Sequence, residues 1–489
     1  MTPTGQLPRV LGLVAATAIV VGTVIGSGVF KKAAAVSAGV PEVGLALLAW
    51  VLVGLLTLLG ALTLAEVAVI VGRVGGNYAI LKEAYGRWAG FLWGWVEFWI
   101  IRSGSIAALA TIFTESLHDI LRHIHPRGPD IDVLDFAART GVTCAVIAAL
   151  ALVNARGTKW GGGLQIVITT VKIASLIGIA VLPFVIWAFV QEPRAKPNVE
   201  LLRPFWPADW GQVNWVAFGG ALVGVFWAYH GWMNIAPVAE EVKDPQRNIP
   251  RAVIGGVLLI IALYLSVNLA YYLVVPAPEI AKIKDRTVAG VFSVRLLGPV
   301  GLLVASAAVM TSVFGALNGN LLVGPRLLYA MGQDRLAPAS LARLHSRFQT
   351  PALAELVLAG WCIVQVAIVA AMTHYRVPAI EWGGYSLDLN LPVGKAPFDV
   401  ITDFAMFGAI SFETLSVASI FIFRRRFPPS SVALPYRCPL YPVLPAVYVL
   451  SLSAVLANMF WSQRAEALTG VGFILVGAAV YRLFFRARP

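Results

Sequence analysis

Residues 20–30 read Val20-Val21-Gly22-Thr23-Val24-Ile25-Gly26-Ser27-Gly28-Val29-Phe30, inside the first long apolar run of the chain. A helix would be expected to continue here, but Gly costs about 1 kcal/mol in a helix interior relative to Ala, and three of these residues are Gly. A helix that breaks within a bilayer is tolerated where the freed backbone groups line a cavity. The alternative is that the small residues only allow close helix packing. We interpret the stretch as a helix break that lines a binding cavity.

The composition is that of a membrane protein with many spans. Of the 489 residues, 58 % are hydrophobic and 13 % are charged, with a mean hydropathy of +0.79, whereas soluble domains carry about 25 % charged residues. Apolar runs of about 20 residues recur, and each can cross roughly 30 Å of hydrocarbon. The net charge is +12, but membrane proteins keep Lys and Arg in their cytoplasmic loops. The charge therefore does not indicate a nucleic-acid partner, and none is expected. Three cysteines do not form a disulfide framework.

The apolar runs predict an all-α membrane protein with 12 transmembrane helices, in a single transporter domain over residues 1–489. An even number of spans places both termini on one side. Lys and Arg are more frequent in the loops on that side, and Arg424-Arg425-Arg426 follows span ten, so we expect cytoplasmic termini in a cell (plasma or inner) membrane. The predicted spans are 9–34, 43–71, 88–115, 138–154, 163–190, 213–238, 252–275, 298–325, 351–373, 399–423, 439–461 and 466–485.

A second interrupted helix is predicted in span six, which contains His230-Gly231 near its middle and Asn234 soon after. Polar and flexible residues at that depth are costly. Spans one and six each begin a block of five spans, over 9–190 and 213–423, followed by two additional helices over 439–485. Interrupted helices at matching positions of two halves point to an inverted-repeat transporter with its site near the membrane midplane.

Several motifs resemble the L-type amino-acid transporters and related permeases of the amino acid–polyamine–organocation superfamily. The resemblance runs from about Arg9 to Arg482 and implies a LeuT-like 5+5 inverted repeat with broken helices 1 and 6. The matching segments are Gly26-Ser27-Gly28-Val29-Phe30, Gly75-Gly76-Asn77-Tyr78, Ile100-Ile101-Arg102, Phe226 to Trp232, Glu240 to Pro250, and Phe314 to Gly319.

The first break can hold both charged groups of an amino acid. A half-helix that begins near Ser27 exposes N–H groups and a positive dipole end to a carboxylate, and Gly26 and Gly28 allow close backbone approach. Carbonyl groups at the ends of the preceding half-helices would accept from the ammonium. The resemblance implies the carbonyl groups of Val24, Trp227 and His230 for that role, and it implies that Trp227 is the gate over the substrate.

Two residues depart from the family pattern, because His230 stands where Gly is frequent and Met233 where well-known L-type members have Asn. His230 either senses pH, since the unperturbed pKa of His is about 6.5, or is held by packing so that only its backbone matters. Met233 is expected to make the pocket less polar. Glu413 in span ten is a candidate for attracting a cationic substrate. Glu66, Glu97 and Arg102 are expected to form structural ion pairs or to lie near a membrane interface rather than to bind substrate.

Lys172 lies about ten residues into span five, where a charged side chain is expensive and normally paired. A lysine that only bridges helices is the alternative interpretation. The resemblance implies a position against the first break and Ser312, where sodium-coupled relatives hold Na⁺, so that the ammonium takes the place of the ion. Sodium-independent transport follows; proton symport and exchange both remain open.

The sequence therefore predicts a secondary active transporter of amino acids that works by alternating access, and we expect exchange of neutral L-amino acids. The alternatives are a proton-coupled symporter of cationic amino acids and, in a different class, a channel or a receptor-like binding protein. No enzyme activity, cofactor or metal site is predicted, and the expected partners are the substrate and the lipid bilayer. Animal relatives use a cysteine between spans three and four for a disulfide-linked heavy chain. Residues 116–137 contain none, so no such partner is expected.

Overall fold

The computed structural model describes residues 9–71, 75–125, 133–283, 286–374, 380–382, 385–387, 397–428 and 434–486, and for residues 158–162, 373, 380–382, 385–387 and 397–401 it describes the backbone only. Most of the predicted loop at 374–398 lies outside the described residues. Two three-residue strands there, Ile380–Trp382 and Tyr385–Leu387, form an antiparallel pair.

Helices make up most of the described chain. They are α1 (Leu13–Val24), α2 (Gly28–Gly39), α3 (Val43–Val71), α4 (Asn77–Tyr85), α5 (Arg87–Val96), α6 (Ser103–Ile124), α7 (Phe136–Ala155), α8 (Thr158–Phe189), α9 (Trp215–Tyr229), α10 (Pro245–Val274), α11 (Ala277–Ile280), α12 (Val288–Leu297), α13 (Pro299–Val323), α14 (Pro325–Gln333), α15 (Ala352–His374), α16 (Pro397–Arg426), α17 (Val443–Ser462) and α18 (Arg464–Phe484). A π-helix, Glu97–Arg102, joins α5 to α6, and 3₁₀-helices cover Val199–Leu202, Trp210–Gln212, Trp232–Glu241 and Ala339–Ala342.

Eleven helical segments among the described residues are long and apolar enough to cross a membrane. They correspond to eleven of the twelve predicted spans, so the prediction of a multi-pass, helical membrane protein is confirmed at that level. The remaining predicted span, 213–238, contains α9, which has only 15 residues, followed by the 3₁₀-helix Trp232–Glu241. The segment is divided because Gly231 has φ 110°, a left-handed conformation that a continuing α-helix does not accept.

The first apolar segment is divided too. The α1 helix ends at Val24, Ile25 leaves the helical region with ψ 89°, and α2 begins at Gly28. Gly22 differs from the other two glycines of the stretch because it remains inside α1. A Cβ atom there would collide with the side chains of Gln165 and Thr169 on α8, so Gly22 serves close helix packing.

The two divided segments lie at the centre of the bundle. The α1 helix packs on α8, α10 and α13, and α2 packs on α9. In α18, by contrast, Leu475 and Leu483 are exposed, as expected for side chains that face lipid tails. The centre therefore holds the irregular backbone and the polar groups, which is where a bilayer tolerates them.

Candidate functional site

A cavity lies where the two helix breaks meet. It is lined by the break residues of the first segment, the end of α9, and polar side chains of α6, the 3₁₀-helix and α13. All six predicted binding residues, Val24, Gly26, Ser27, Gly28, Trp227 and His230, line it, and the other lining residues are Thr23, Ser105, Leu109, Gly231, Asn234, Ala316 and Asn320.

One wall of the cavity carries hydrogen-bond donors without acceptors. The backbone N–H groups of Gly26, Ser27 and Gly28 find no acceptor within the described part of the chain. The Ser27 hydroxyl is also unpartnered, although the residue is only 1 % exposed. Buried donors normally have partners, and these lie at the positive end of α2. The wall can therefore bind a carboxylate or another anion.

The carbonyl groups on the opposite side of the breaks are tied together. The Tyr264 hydroxyl of α10 lies 3.1 Å from the Val24 carbonyl oxygen and 3.0 Å from that of Ala228. The Trp227 carbonyl accepts the N–H of His230 at 3.2 Å. Each carbonyl oxygen has a second lone pair for a cationic ligand. Sequence reasoning missed Tyr264, although a hydroxyl in the middle of an apolar span was a signal for it.

Gly28 is required by packing as well as by the cavity. A Cβ atom there would lie 2.5 Å from the Cα of Ala228. The backbone at the start of α2 is therefore in direct contact with the backbone at the end of α9. The absence of a side chain at Gly28 thus brings the two breaks to one place.

Trp227 and His230 form one edge of the cavity. Their rings are nearly parallel, with an interplanar angle of 15° and centroids 6.3 Å apart. The His230 Nδ1 atom lies 3.0 Å from Oε1 of Glu413 on α16, at an angle that does not make a hydrogen bond. The predicted site residue His230 therefore lies beside Glu413, a contact between residues 183 positions apart that the sequence does not indicate.

The expectation for Met233 is wrong. Its side chain lines a neighbouring pocket with Asn77 and Arg102, and the Asn77 amide donates to its Sδ atom at 3.0 Å. The left-handed turn at Gly231 rotates Met233 away from the cavity and brings Asn234 to it. The wall is therefore more polar than the sequence suggested.

Arg102 forms a buried network beneath the cavity. Its guanidinium donates to Glu97, to Oδ1 of Asn234 at 2.8 Å and to Oδ1 of Asn320 at 2.5 Å. The structure shows that Glu97 and Arg102 pair with each other and that Glu66 pairs with Arg424 at 2.7 Å, so all three residues are members of ion pairs. The link from Arg102 to both cavity asparagines was missed, because it joins three separate helical segments.

Lys172 and Ser312 lie behind the first break and do not line the cavity. The Lys172 ammonium donates to the carbonyl oxygens of Gly22 at 2.7 Å and Ile25 at 2.6 Å, and the residue is 1 % exposed. The Ser312 hydroxyl lies 3.3 Å from the Ile25 carbonyl oxygen and 3.2 Å from that of Gly26. The two side chains thus satisfy the carbonyl groups that the end of α1 leaves without helical partners.

The lysine fits because the facing helix carries glycine. A Cβ atom at Gly315 of α13 would lie 2.7 Å from Cε of Lys172 and 3.1 Å from Nζ. Gly315 therefore leaves the space through which the lysine side chain reaches the break.

Comparison with known proteins identifies the family. The family model described as amino acid permease matches residues 11–484. The serine/threonine exchanger SteT of Bacillus subtilis is 29 % identical over 487 residues, 98 % of both chains. The b(0,+)-type amino acid transporter 1 of Homo sapiens is 29 % identical over 98 % of this chain and 89 % of its own length. The cystine/glutamate transporter of Homo sapiens is 26 % identical over 98 % of this chain and 86 % of its own. These relatives are transporters and not enzymes, and the chain, which has many membrane-spanning helices, belongs to the amino acid permease family.

Proposed function

We propose that the protein exchanges neutral L-amino acids across the cell membrane, without sodium, as a secondary active transporter that works by alternating access. The carrying observation is the row of unpartnered N–H groups at Gly26, Ser27 and Gly28, which faces a cavity beside carbonyl groups. A carboxylate pairs with the N–H groups, and the ammonium pairs with the carbonyl oxygens of Val24, Trp227 and His230. Exchange is supported by the name of the serine/threonine exchanger among the relatives.

Sodium independence follows from the space that Lys172 fills. Its Nζ atom contacts the carbonyl oxygens of Gly22 and Ile25, and carbonyl and hydroxyl oxygens are the ligands that a small hard cation would use. A lysine nitrogen at that point occupies the space of the ion and excludes it, with Ser312 as the neighbouring hydroxyl.

Alternating access requires seals on both ends of the cavity. Near the start of α1, Leu11 pairs with Val242 through the backbone, and Arg326 forms an ion pair with Glu241 at 2.9 Å. On the opposite side, Lys32 of α2 lies 3.6 Å from Asp403 of α16. We infer that these seals open in turn, with Trp227 as the gate over the substrate.

The finer architecture belongs to the same proposal. Twelve spans result if the divided segment of α9 and its 3₁₀-helix also crosses the membrane, and spans one to five and six to ten then form a LeuT-like inverted repeat with broken first and sixth helices. The N- and C-termini are cytoplasmic, on the side of Arg424–Arg426. We propose that the chain works without a disulfide-linked heavy chain.

A second candidate function is proton-coupled symport of cationic amino acids. It is favoured by one observation, the carboxylate of Glu413 behind the cavity edge, 3.0 Å from His230. A cationic side chain would be attracted there.

Uptake into proteoliposomes tests these proposals. Labelled neutral amino acid should enter faster when the vesicles contain unlabelled amino acid, and replacing Na⁺ by choline should leave the rate unchanged. Strong stimulation by Na⁺ would contradict the role of Lys172. Accumulation of lysine or arginine driven by a proton gradient into otherwise empty vesicles would support the symporter, and flux that neither saturates nor depends on internal substrate would indicate a channel.

A further inference from the structure

The cavity is lined by polar side chains, those of Ser105, His230 and Asn234, that have no role in the proposed binding of the amino and carboxyl groups of the substrate. We propose that His230, positioned by Glu413, and the donors of Asn234 and Ser105 select small amino acids whose side chain forms hydrogen bonds, such as a hydroxyl side chain. The inference rests on the proposed function and names the substrate class of that same site.

The Asn234 amide is oriented by the network beneath it. Arg102 donates to its Oδ1 atom at 2.8 Å, and a guanidinium carries donors only, so the oxygen must face Arg102. The amide nitrogen is left on the other side of the group, and it finds no acceptor among the residues that the structure describes. Because Asn234 lines the cavity, this nitrogen is a fixed donor for a ligand.

The second asparagine that lines the cavity, Asn320, has hydrogen-bond partners for both atoms of its amide. Asn320 also turns its Oδ1 atom to Arg102, but its amide nitrogen donates to the Ala316 carbonyl oxygen at 2.8 Å. The Ser105 hydroxyl, in contrast, has no hydrogen-bond partner in the described chain and lines the cavity. The donors without a partner in the described chain are therefore on Asn234 and Ser105, which line the same cavity.

These free groups favour a polar ligand because of the cost of leaving them unpaired. A buried donor or acceptor without a partner costs about 1–3 kcal/mol. A substrate hydroxyl satisfies such groups, whereas an aliphatic side chain covers them and leaves them unpaired, which is how sites built for a hydroxyl reject apolar analogues.

His230 limits the size of the side chain that fits. Its imidazole keeps 15 % of its surface accessible, beside a Glu413 carboxylate that is itself 7 % accessible, so the ring stands at the cavity edge while its anchor is buried. The parallel Trp227 ring confines it from another direction. Leu109 and Ala316 also line the cavity and lie close to Gly26, at 3.3 Å and 3.5 Å from where a Cβ atom of that residue would be. The His230 ring therefore takes up space at the cavity edge that a glycine at this position would leave open to a longer side chain.

The test is competition and uptake in proteoliposomes that contain serine, with serine, threonine, alanine, leucine and phenylalanine as external substrates. For the native protein we expect kcat/KM for serine and threonine to exceed that for leucine by tenfold or more. The variant His230→Gly should raise leucine uptake and reduce that preference at least threefold. The variant Ser105→Ala should raise KM for serine and threonine several-fold and leave alanine nearly unchanged.

The matched control is Ser103→Ala, because Ser103 is buried two residues earlier and donates to the Phe98 carbonyl at 2.8 Å, without lining the cavity. It should leave the preference as in the native protein. If a variant inserts poorly, the shift in melting temperature of the detergent-solubilised native protein with serine against leucine gives an independent readout. A native protein that handles leucine as well as serine, or a folded His230→Gly variant with unchanged preference, overturns the inference and leaves the transport function standing. Absence of uptake of every amino acid overturns the proposed function itself.

Discussion

Removal of the Lys172 side chain tests how the first break is held. Lys172 donates two short hydrogen bonds, to the carbonyl oxygens of Gly22 and Ile25, and it does so from a position that is 1 % exposed. A hydrogen bond from a charged group contributes about 1.5–3 kcal/mol. Loss of both bonds therefore removes roughly 3 kcal/mol or more from the conformation in which α1 and α8 are joined at the break.

The effect on binding depends on which state uses these bonds. If the substrate-bound state needs the break in its present geometry, a loss of about 3 kcal/mol weakens binding by roughly two orders of magnitude, since each 1.4 kcal/mol is tenfold. We expect Lys172→Ala to raise the dissociation constant for the amino acid by about two orders of magnitude. Binding is measured by calorimetry on purified protein, and uptake is measured in proteoliposomes.

The control for this experiment is Lys172→Met, which keeps a long side chain of similar shape and removes the donors. Similar losses in both variants assign the effect to the hydrogen bonds, whereas a loss in Lys172→Ala alone assigns it to the empty space beside Gly315. Both variants and the native protein are compared in Na⁺ and in choline. An unimpaired Lys172→Met protein would refute the reasoning and reduce Lys172 to a packing residue.

Three further predictions concern the cavity. Trp227→Ala should slow transport more than it weakens binding, because a large ring at the cavity edge excludes water and closes the site; unchanged rates in proteoliposomes would place the gate elsewhere. Tyr264→Phe removes the hydroxyl that joins Val24 to the end of α9 and should lower substrate affinity several-fold without changing the helix content. Affinity is measured by calorimetry and helix content by circular dichroism, and native affinity would make that hydroxyl dispensable. Gly28→Ala places a Cβ atom 2.5 Å from the Cα of Ala228 and should lower both the melting temperature and substrate affinity, and a variant with native values of both would contradict the close packing.

The positions of the two breaks could be read from the sequence. Glycines interrupt one apolar run and a His-Gly pair interrupts another. Because such residues disfavour a helix at their own position, they indicate where the helix breaks. The apolar runs likewise indicated the approximate bounds of the eleven long helical segments among the described residues, because bilayer thickness imposes their length.

The run of glycines did not indicate which glycine lies at the helix break and which one allows close helix packing. Gly22 belongs to the same run as Gly26 and Gly28, yet it stays helical and packs against α8. The role of a glycine inside an apolar run depends on what lies opposite, and the sequence does not contain that information. Met233 was misjudged for a related reason, since the turn at Gly231 decides which side chains face the cavity.

Only the tertiary structure decided the partners of the buried polar groups. The contact of His230 with Glu413 and the network of Arg102 with Asn234 and Asn320 join residues more than 100 positions apart in sequence. A polar residue in a span indicates that a partner exists, because an unpaired group in the bilayer is too costly. Which partner it finds depends on how the helices pack side by side, and periodicity along a single chain does not encode that arrangement. The sequence by itself therefore determined where the backbone opens, while the packing of α6, α10, α13 and α16 around that opening determined what the cavity can bind.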